Sequence, residues 1–311
     1  MKLRYGILST SSIAPRFIAA VRACGKGEIV AVSSRTLEKA REKAAQWGIP
    51  TAYGSHEALL QDENVNIVYI SNVNTAHYPW AKAALEMGKH VICEKPCTTA
   101  EKQTKELYDL AKEKGLFFME AQKMLFLPAV LAAKDRLGDL GKITMVTLSH
   151  SFAASYNGWM FDSEAGGGPL LSSGIYAVQL ITWLFGDITD IRGTASKLPT
   201  GVEWQYILTG QTETGVLFTA KNSTRALLDN TCRIFGEKGS IELPNYWKAQ
   251  KVILRIGDKT ETLEFPCAHE LVYEAAHIAD CMEKGLKNSP VITEELSLTG
   301  IRAIEQVKAG W

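Results

Sequence analysis

Gly88-Lys89-His90-Val91-Ile92-Cys93-Glu94-Lys95-Pro96 is an apolar run that follows a glycine and stops abruptly on a carboxylate, an ammonium and a proline. The pattern predicts a buried strand with a polar tip. In open α/β sheets the loops leaving the carboxyl ends of the strands form the ligand crevice, so Lys95 is the first residue expected to carry chemistry. Upstream, Pro79 to Met87 reads as a helix closed by Gly88. Downstream, Thr98 or Thr99 can cap a helix through Lys114, Gly115 ends it, and Leu116 to Glu120 is the next strand.

The same alternation extends back to the start. Leu3 to Leu8 is a strand, Ser9-Thr10-Ser11-Ser12 a small-residue loop, and a helix begins near Ile13 with Pro15 tolerated in its first turn. A loop of this kind brings backbone N–H groups to a pyrophosphate at the helix N-terminus, which normally demands glycines. Only Gly6 is present, although Ser9, Thr10 and Ser11 add hydroxyls. Taken alone the loop reads first as a helix cap; in context Gly6, Ser9, Thr10, Ser11, Ser12 and Ile13 are candidate cofactor contacts. The second strand, Glu28 to Val32, ends in Ser33-Ser34-Arg35-Thr36. NAD sites usually place a carboxylate here for the ribose 2′-hydroxyl, whereas an arginine among hydroxyls suits a 2′-phosphate. NADP is therefore preferred over NAD, with Ser34, Arg35 and Thr36 as contacts; the alternative is a capping Ser34 or Thr36 and a solvated Arg35. The strand Asn66 to Ser71 leads into Asn72-Val73-Asn74-Thr75-Ala76-His77. Parallel strands require crossover helices, so residues 1–121 are expected to form a Rossmann-type, doubly wound parallel sheet that binds a nucleotide.

Beyond Glu120 the pattern changes. A helix ending near Gly138 is followed by successive strands, including Thr144 to Phe152, Ile188 to Lys197, Gln205 to Gln211, Val216 to Asn222, Thr231 to Phe235 and Val252 to Ile256. Strands without intervening helices imply a mostly antiparallel sheet, so residues 122–311 are expected to form an α+β domain. Between the first two strands lies Gly166-Gly167-Gly168-Pro169-Leu170-Leu171-Ser172-Ser173-Gly174-Ile175-Tyr176-Ala177-Val178-Gln179, a glycine turn opening a helix with Tyr176 and Gln179 on one face. His269 to Lys284 and a final helix capped by Thr293 read as scaffold.

Lys plus Arg and Asp plus Glu each number 34, giving zero formal charge. No basic field for nucleic acid or an anionic membrane exists, and a small-molecule ligand is expected. Six scattered cysteines fit reduced thiols, and Cys93 with Cys97 lacks the second pair that a metal set needs. No metal is expected. With neither a leader-like N-terminus nor a long apolar span, the protein is expected to be soluble and cytoplasmic.

The runs Gly88–Pro96 and Gly166–Gln179 resemble the two signatures of the glucose-fructose oxidoreductase, inositol dehydrogenase and MocA family. Tyr176 followed by Gln179 resembles the dimeric dihydrodiol dehydrogenase and glucose-fructose oxidoreductase branches, since most members carry histidine at that position. The resemblance implies a catalytic pair, Lys95 and Tyr176. It also implies cofactor contacts at Ser71, Asn72, Asn74, His77, Glu94, Lys95 and Pro96, with a cis Lys95–Pro96 peptide and a homodimer through the open sheet. A capping or core role is the favoured reading of His77 over a catalytic one. Substrate contacts are expected at Lys95, Ser172, Tyr176, Gln179 and Trp159, although core or dimer packing is the plainer reading of Trp159. The chain departs from the family pattern at Ser172, where an aspartate is usual, and at Leu125 and Leu127, where an arginine and a histidine are common. Gly236 to Pro244 looks like a family hairpin.

Carbonyl reduction needs a proton donor at oxygen and a positive field for the developing alkoxide. A phenol near pKa ~10 gains from an ammonium partner, an attraction of about 4 kcal/mol at ~4 Å and an effective dielectric near 20 before desolvation is counted. The expected function is NADP-dependent oxidoreduction of a dihydrodiol, dicarbonyl or sugar-like compound. The alternatives are an NAD-dependent sugar or inositol dehydrogenase, and a nucleotide-binding regulator without turnover, the latter motivated by Ser172.

Overall fold

β1 (Leu3–Leu8), β2 (Gly27–Ser33), β3 (Thr51–Tyr53), β4 (Ile67–Ile70), β5 (His90–Glu94) and β6 (Phe118–Ala121) form one parallel sheet in the order β3-β2-β1-β4-β5-β6. The computed structural model describes residues 2–156 and 158–311. The crossovers are α1 (Ala14–Cys24), α2 (Leu37–Trp47), α3 (His56–Leu60), α4 (Asn74–Glu86) and α5 (Glu101–Lys114). β4 and the centre of β5 are buried on both faces, which is why they read as continuous apolar runs. The chain reverses direction across the sheet between β1 and β4, the switch point where open sheets of this order bind nucleotides.

α4 starts at Asn74, well before the expected Pro79. Proline disfavours a helix interior by removing an N–H and crowding the carbonyl four residues back, yet Pro79 is the sixth residue of α4 and the helix continues through it. Much of the loop expected after β4 is therefore the first turn of α4.

The chain divides into two compact units: the span to Lys123 together with His269–Glu294, and Met124–Ala268 together with Glu295–Trp311. The expected division into two continuous spans at 121/122 differs from this, because α8 (Val272–Glu283) returns to the nucleotide unit. It packs beside α1, with an ion pair from Lys26 to Asp280, and the Phe118 N–H donates to the Lys287 carbonyl at 3.1 Å. An amphipathic pattern shows that a helix covers something but does not name the layer it covers.

In the second unit α6 (Pro128–Asp135) precedes β7 (Ile143–Ser151), and α7 (Ile175–Phe185) precedes β8 (Ile188–Lys197), β9 (Glu203–Thr212), β10 (Leu217–Ser223), β11 (Thr231–Gly236), β12 (Gly239–Pro244), β13 (Lys251–Ile256) and β14 (Lys259–Glu264). These eight strands make one sheet in the order β14-β13-β12-β11-β7-β10-β9-β8, antiparallel except between β7 and β10. β11 and β12 form the expected hairpin, and α9 (Glu294–Ala309) closes the chain. Among the described residues no helix is long and apolar enough to cross a membrane.

The glycine run before α7 has a definite purpose. Leu170–Gly174 is a wide π turn, and the buried Glu203 Oε1 accepts from the Leu170 N–H at 2.8 Å. Gly168 lies at φ +117°, and a Cβ there would collide with the Glu203 carboxylate. Gly168→Ala is expected to lower unfolding free energy by about 2–4 kcal/mol through backbone strain and displacement of Glu203. Urea denaturation checks this, and a loss below about 0.5 kcal/mol would refute it.

Candidate active site

Lys95 stands where β5 leaves the sheet, and its peptide bond to Pro96 is cis. Cys93 is fully buried, whereas Glu94 and Lys95 are half-buried at the tip. The Tyr69 hydroxyl, its ring stacked on Phe17 with centroids 3.7 Å apart, donates to the Glu94 carboxylate. The Lys95 backbone N–H donates to Glu94 Oε2 at 3.2 Å. Buried Glu120 accepts from the Cys97 N–H at 2.9 Å. Burial pulls the Lys95 pKa down, and Glu94 and Glu120 act against it by favouring the ammonium.

Behind this tip lies His77, 1% exposed. Its Nδ1 is 2.8 Å from the Pro96 carbonyl oxygen and its Nε2 is 3.0 Å from that of Asn72. A neutral imidazole can donate through one nitrogen only, so two carbonyl partners call for the imidazolium. Burial alone would disfavour that charge, but Cys93 beside the ring and the two carbonyls act against it and raise the pKa to about 9. His77 thus ties the loop after β4 to the loop after β5.

The residues after β1 provide a place for a dinucleotide. Ile13 caps α1 without a side-chain hydrogen bond, and no acidic residue occupies its first turn, so the helix start favours an anion. Ser9 adopts φ +107°, unusual for a residue with a side chain, and its N–H donates to the Ser33 carbonyl at 3.2 Å. Ser11 Oγ donates to Ser71 Oγ at 2.8 Å, joining the β1 and β4 ends; Thr10 is half-buried and Ser12 exposed. Gly6 is internal to β1, and a Cβ there would press on Leu59 and Val65, so its smallness serves packing. At the β2 end Arg35 is exposed, Ser34 is buried with its N–H on the Tyr53 carbonyl, and Thr36 accepts from Lys39 N as the cap of α2. Glu38 stands in the first turn of α2, and none of Ser33, Ser34, Arg35 and Thr36 is a carboxylate, so these four fit a phosphate.

Two buried residues not singled out in the sequence stand in this unit, and the first joins the β2 and β4 loops. His56 Nδ1 meets Ser33 Oγ at 2.7 Å and its Nε2 meets Asn72 Nδ2 at 3.1 Å, an arrangement that fits the neutral ring favoured by burial. Asn72 Oδ1 is buried with no hydrogen-bond partner among the described residues, while Asn74 is buried in the first turn of α4. Lys123 is the second. Burial, helped by Arg16, pulls its pKa down to about 8, and its Nζ lies 3.3 Å from Glu270, which also pairs with Arg16. A single lysine in the apolar run Met119–Leu127 was the available signal.

In the second unit Tyr176 is 8% exposed on α7, Ser172 is buried in the preceding π turn, and Gln179 is fully buried with Gly300 of α9 against its side chain. Leu125 and Leu127 are buried. Trp159 is 44% exposed in a short turn, and the adjacent Met160 carbonyl accepts from the Gly168 N–H at 2.7 Å.

A family model described as an oxidoreductase family with an NAD-binding Rossmann fold matches residues 3–122, and the GFO/IDH/MocA C-terminal domain matches residues 131–242. Trans-1,2-dihydrobenzene-1,2-diol dehydrogenase of Mus musculus is 32% identical over 306 residues, covering 94% of this chain and 92% of the relative. The Bos taurus enzyme of the same name is 34% identical over 311 residues with the same coverage. The chain belongs to the GFO/IDH/MocA oxidoreductase family. Among solved structures, the 3-ketoreductase KijD10 of Actinomadura kijaniata, in complex with NADP and TDP-benzene, superposes with a TM-score of 0.92 at 24% identity, covering 100% of this chain and 98% of that one. Levoglucosan dehydrogenase, in complex with NADH and levoglucosan, gives 0.89 at 20% identity, covering 99% and 98%. These two likenesses establish the fold. As a member of the GFO/IDH/MocA family the protein is an NAD(P)-dependent oxidoreductase acting on CH–OH or C=O groups.

His77 and Cys93 set a testable electrostatic signature for this family member. The raised His77 pKa stabilises the fold fully below the unfolded value of ~6.5, a contribution lost as pH rises through about 9; the Cys93 pKa, lowered to about 6, stabilises above the unfolded ~9 and is lost as pH falls through about 6. Between roughly 6.5 and 9 His77 gains the proton that Cys93 gives up, so the pair adds almost no slope to stability against pH. ¹⁵N NMR is expected to show both His77 ring nitrogens protonated at pH 8, and Cys93→Ala to bring the titration below 7. A wild-type ring that is neutral at pH 8 would refute the ion pair.

Proposed function

We propose that this enzyme uses NADP to interconvert a hydroxyl and a carbonyl on a dihydrodiol, a dicarbonyl or a sugar-like small molecule. Tyr176 is the general acid/base and Lys95 its electrostatic partner. The observation that carries the reading is Lys95 itself: a lysine at the end of a buried strand, with Glu94 and Glu120 favouring its ammonium against burial. The full-length similarity to dihydrodiol dehydrogenases supports the substrate class.

The cofactor, when bound, would supply or take up the hydride. Residues 9–13 and the α1 N-terminus hold the pyrophosphate, and Arg35 pairs with the 2′-phosphate. The Asn72 loop, held by His56 and His77, positions the nicotinamide riboside. In reduction Tyr176 donates its phenolic proton to the carbonyl oxygen, and in oxidation the phenolate takes the hydroxyl proton. Lys95 favours that phenolate and stabilises negative charge on the substrate oxygen. Gln179 supports the α7 face that carries Tyr176, and Ser172 leaves the substrate side of that helix uncharged. The outer face of the eight-stranded sheet, where Met145, Ile207 and Leu217 are exposed, is the surface assigned to a homodimer.

Lys95→Met and Tyr176→Phe are each expected to lower kcat/KM by roughly 10²–10⁴-fold on a substrate identified from a carbonyl and diol panel; full turnover in both variants would overturn the assignment. Fluorescence titration is expected to show NADPH binding at least about tenfold tighter than NADH, and Arg35→Ala to erase most of that preference, a change of about 1.4 kcal/mol. Equal wild-type affinities would refute the choice of NADP.

A further inference from the structure

The buried face of the eight-stranded sheet is apolar along successive cross-strand rows, Gly210–Phe218–Val146 and then Leu208–Ala220–Leu148. The next row in the same register is Tyr206, Asn222 and His150, all buried. The row contains three polar side chains in a layer that should exclude them. Tyr206 lies under the π turn, since a Cβ on Gly174 would sit 3.0 Å from its hydroxyl, and His150 stacks on Trp247 with centroids 3.7 Å apart. Asn222 is different: it is 2% exposed, and neither Oδ1 nor Nδ2 has a hydrogen-bond partner among the described residues.

A buried carboxamide with both ends unmet is strongly disfavoured unless something else meets them. β10 packs under the turn Leu170–Gly174, which carries Ser172 and runs into the helix of Tyr176. Tyr246 lies within electrostatic reach of both Tyr176 and Tyr206, which gathers the phenol assigned to catalysis and the polar row into one region of this unit. The group that Asn222 awaits must both accept and donate a hydrogen bond, as a hydroxyl does.

We propose that Asn222 is a specificity residue that holds the oxygen on the carbon next to the reacting one, Nδ2 donating to it and Oδ1 accepting from its hydroxyl. This rests on the role given above to Tyr176. It also accounts for dihydrodiols and hydroxy-ketone sugars together, because both carry a hydroxyl on the carbon next to the reacting one, whereas the second carbonyl of a dicarbonyl can only accept from Nδ2. A lone alcohol or ketone leaves the amide unmet, and such sites discriminate strongly against the ligand that lacks the partner group.

The test compares catechol with phenol, two unreactive probes that differ by the adjacent hydroxyl, by calorimetry on the NADP-loaded enzyme. Wild type is expected to prefer catechol at least tenfold, and Asn222→Leu to reduce the preference below threefold. Leucine removes the unmet amide without opening a cavity, so the melting temperature of this variant is expected to hold or rise; a purely structural asparagine would lower it. An unchanged preference in Asn222→Leu, or no preference in wild type, overturns the proposal, the latter meaning that Asn222 holds a bound water only. Selective catechol binding without turnover of any diol or carbonyl would support Asn222 and refute the roles of Tyr176 and Lys95.

Discussion

A cation at the end of a buried strand must be compensated locally, and the first unit is arranged around that requirement at Lys95. Desolvation pulls its pKa down. The compensation comes from side chains that are themselves fixed: Glu94 by Tyr69, whose ring is stacked on Phe17, and Glu120 by the Cys97 N–H. Each of these groups stands on a different part of the sheet or on α1. The charge on Lys95 therefore depends on the correct packing of β4, β5, β6 and α1 together, which ties the chemistry of the tip to the folding of the whole nucleotide unit.

The second unit answers a different constraint. Tyr176 sits on a helix that is buried along nearly all its length, so its phenol must be aimed by backbone geometry because no solvent-facing side exists. The π turn does this, and it can form only where Gly168 leaves room for Glu203 to accept from Leu170. Glu203 is itself a costly buried acid, its pKa raised by burial. A destabilising carboxylate held in place to shape a turn is the kind of local conflict that functional sites accumulate.

Much of this was legible in the sequence. The apolar run ending at Lys95 fixed the parallel sheet, because only a strand covered on both faces reads without alternation. The glycine run marked the turn before Tyr176. What escaped notice depends on partners that sequence does not display. His77 was read as a nucleotide contact or a core residue, but its charge follows from two backbone carbonyls, and carbonyls are the same in every residue. α8 was expected in the second domain because an amphipathic helix does not specify its layer. Pro79 suggested too late a start for α4. Asn222 was accessible in principle, since strand alternation places it on the same face as Phe218 and Ala220, where an amide conflicts with its neighbours.

The two histidines at the Asn72 loop show how one structural task can need opposite charges. His56 lies between a hydroxyl and an amide donor, so the neutral ring satisfies both partners. His77 lies between two acceptors, so only the charged ring does. The charged one is the deeper of the two and has Cys93 beside it, a residue whose thiol can supply the counter-charge without leaving the strand. Cys93 on β5 lies beside His77 and couples its titration to that of the ring, while the charges acting on Lys95 are those of Glu94 and Glu120, so the loop after β4 is pinned by His77 and the field at the strand tip is set by the two carboxylates.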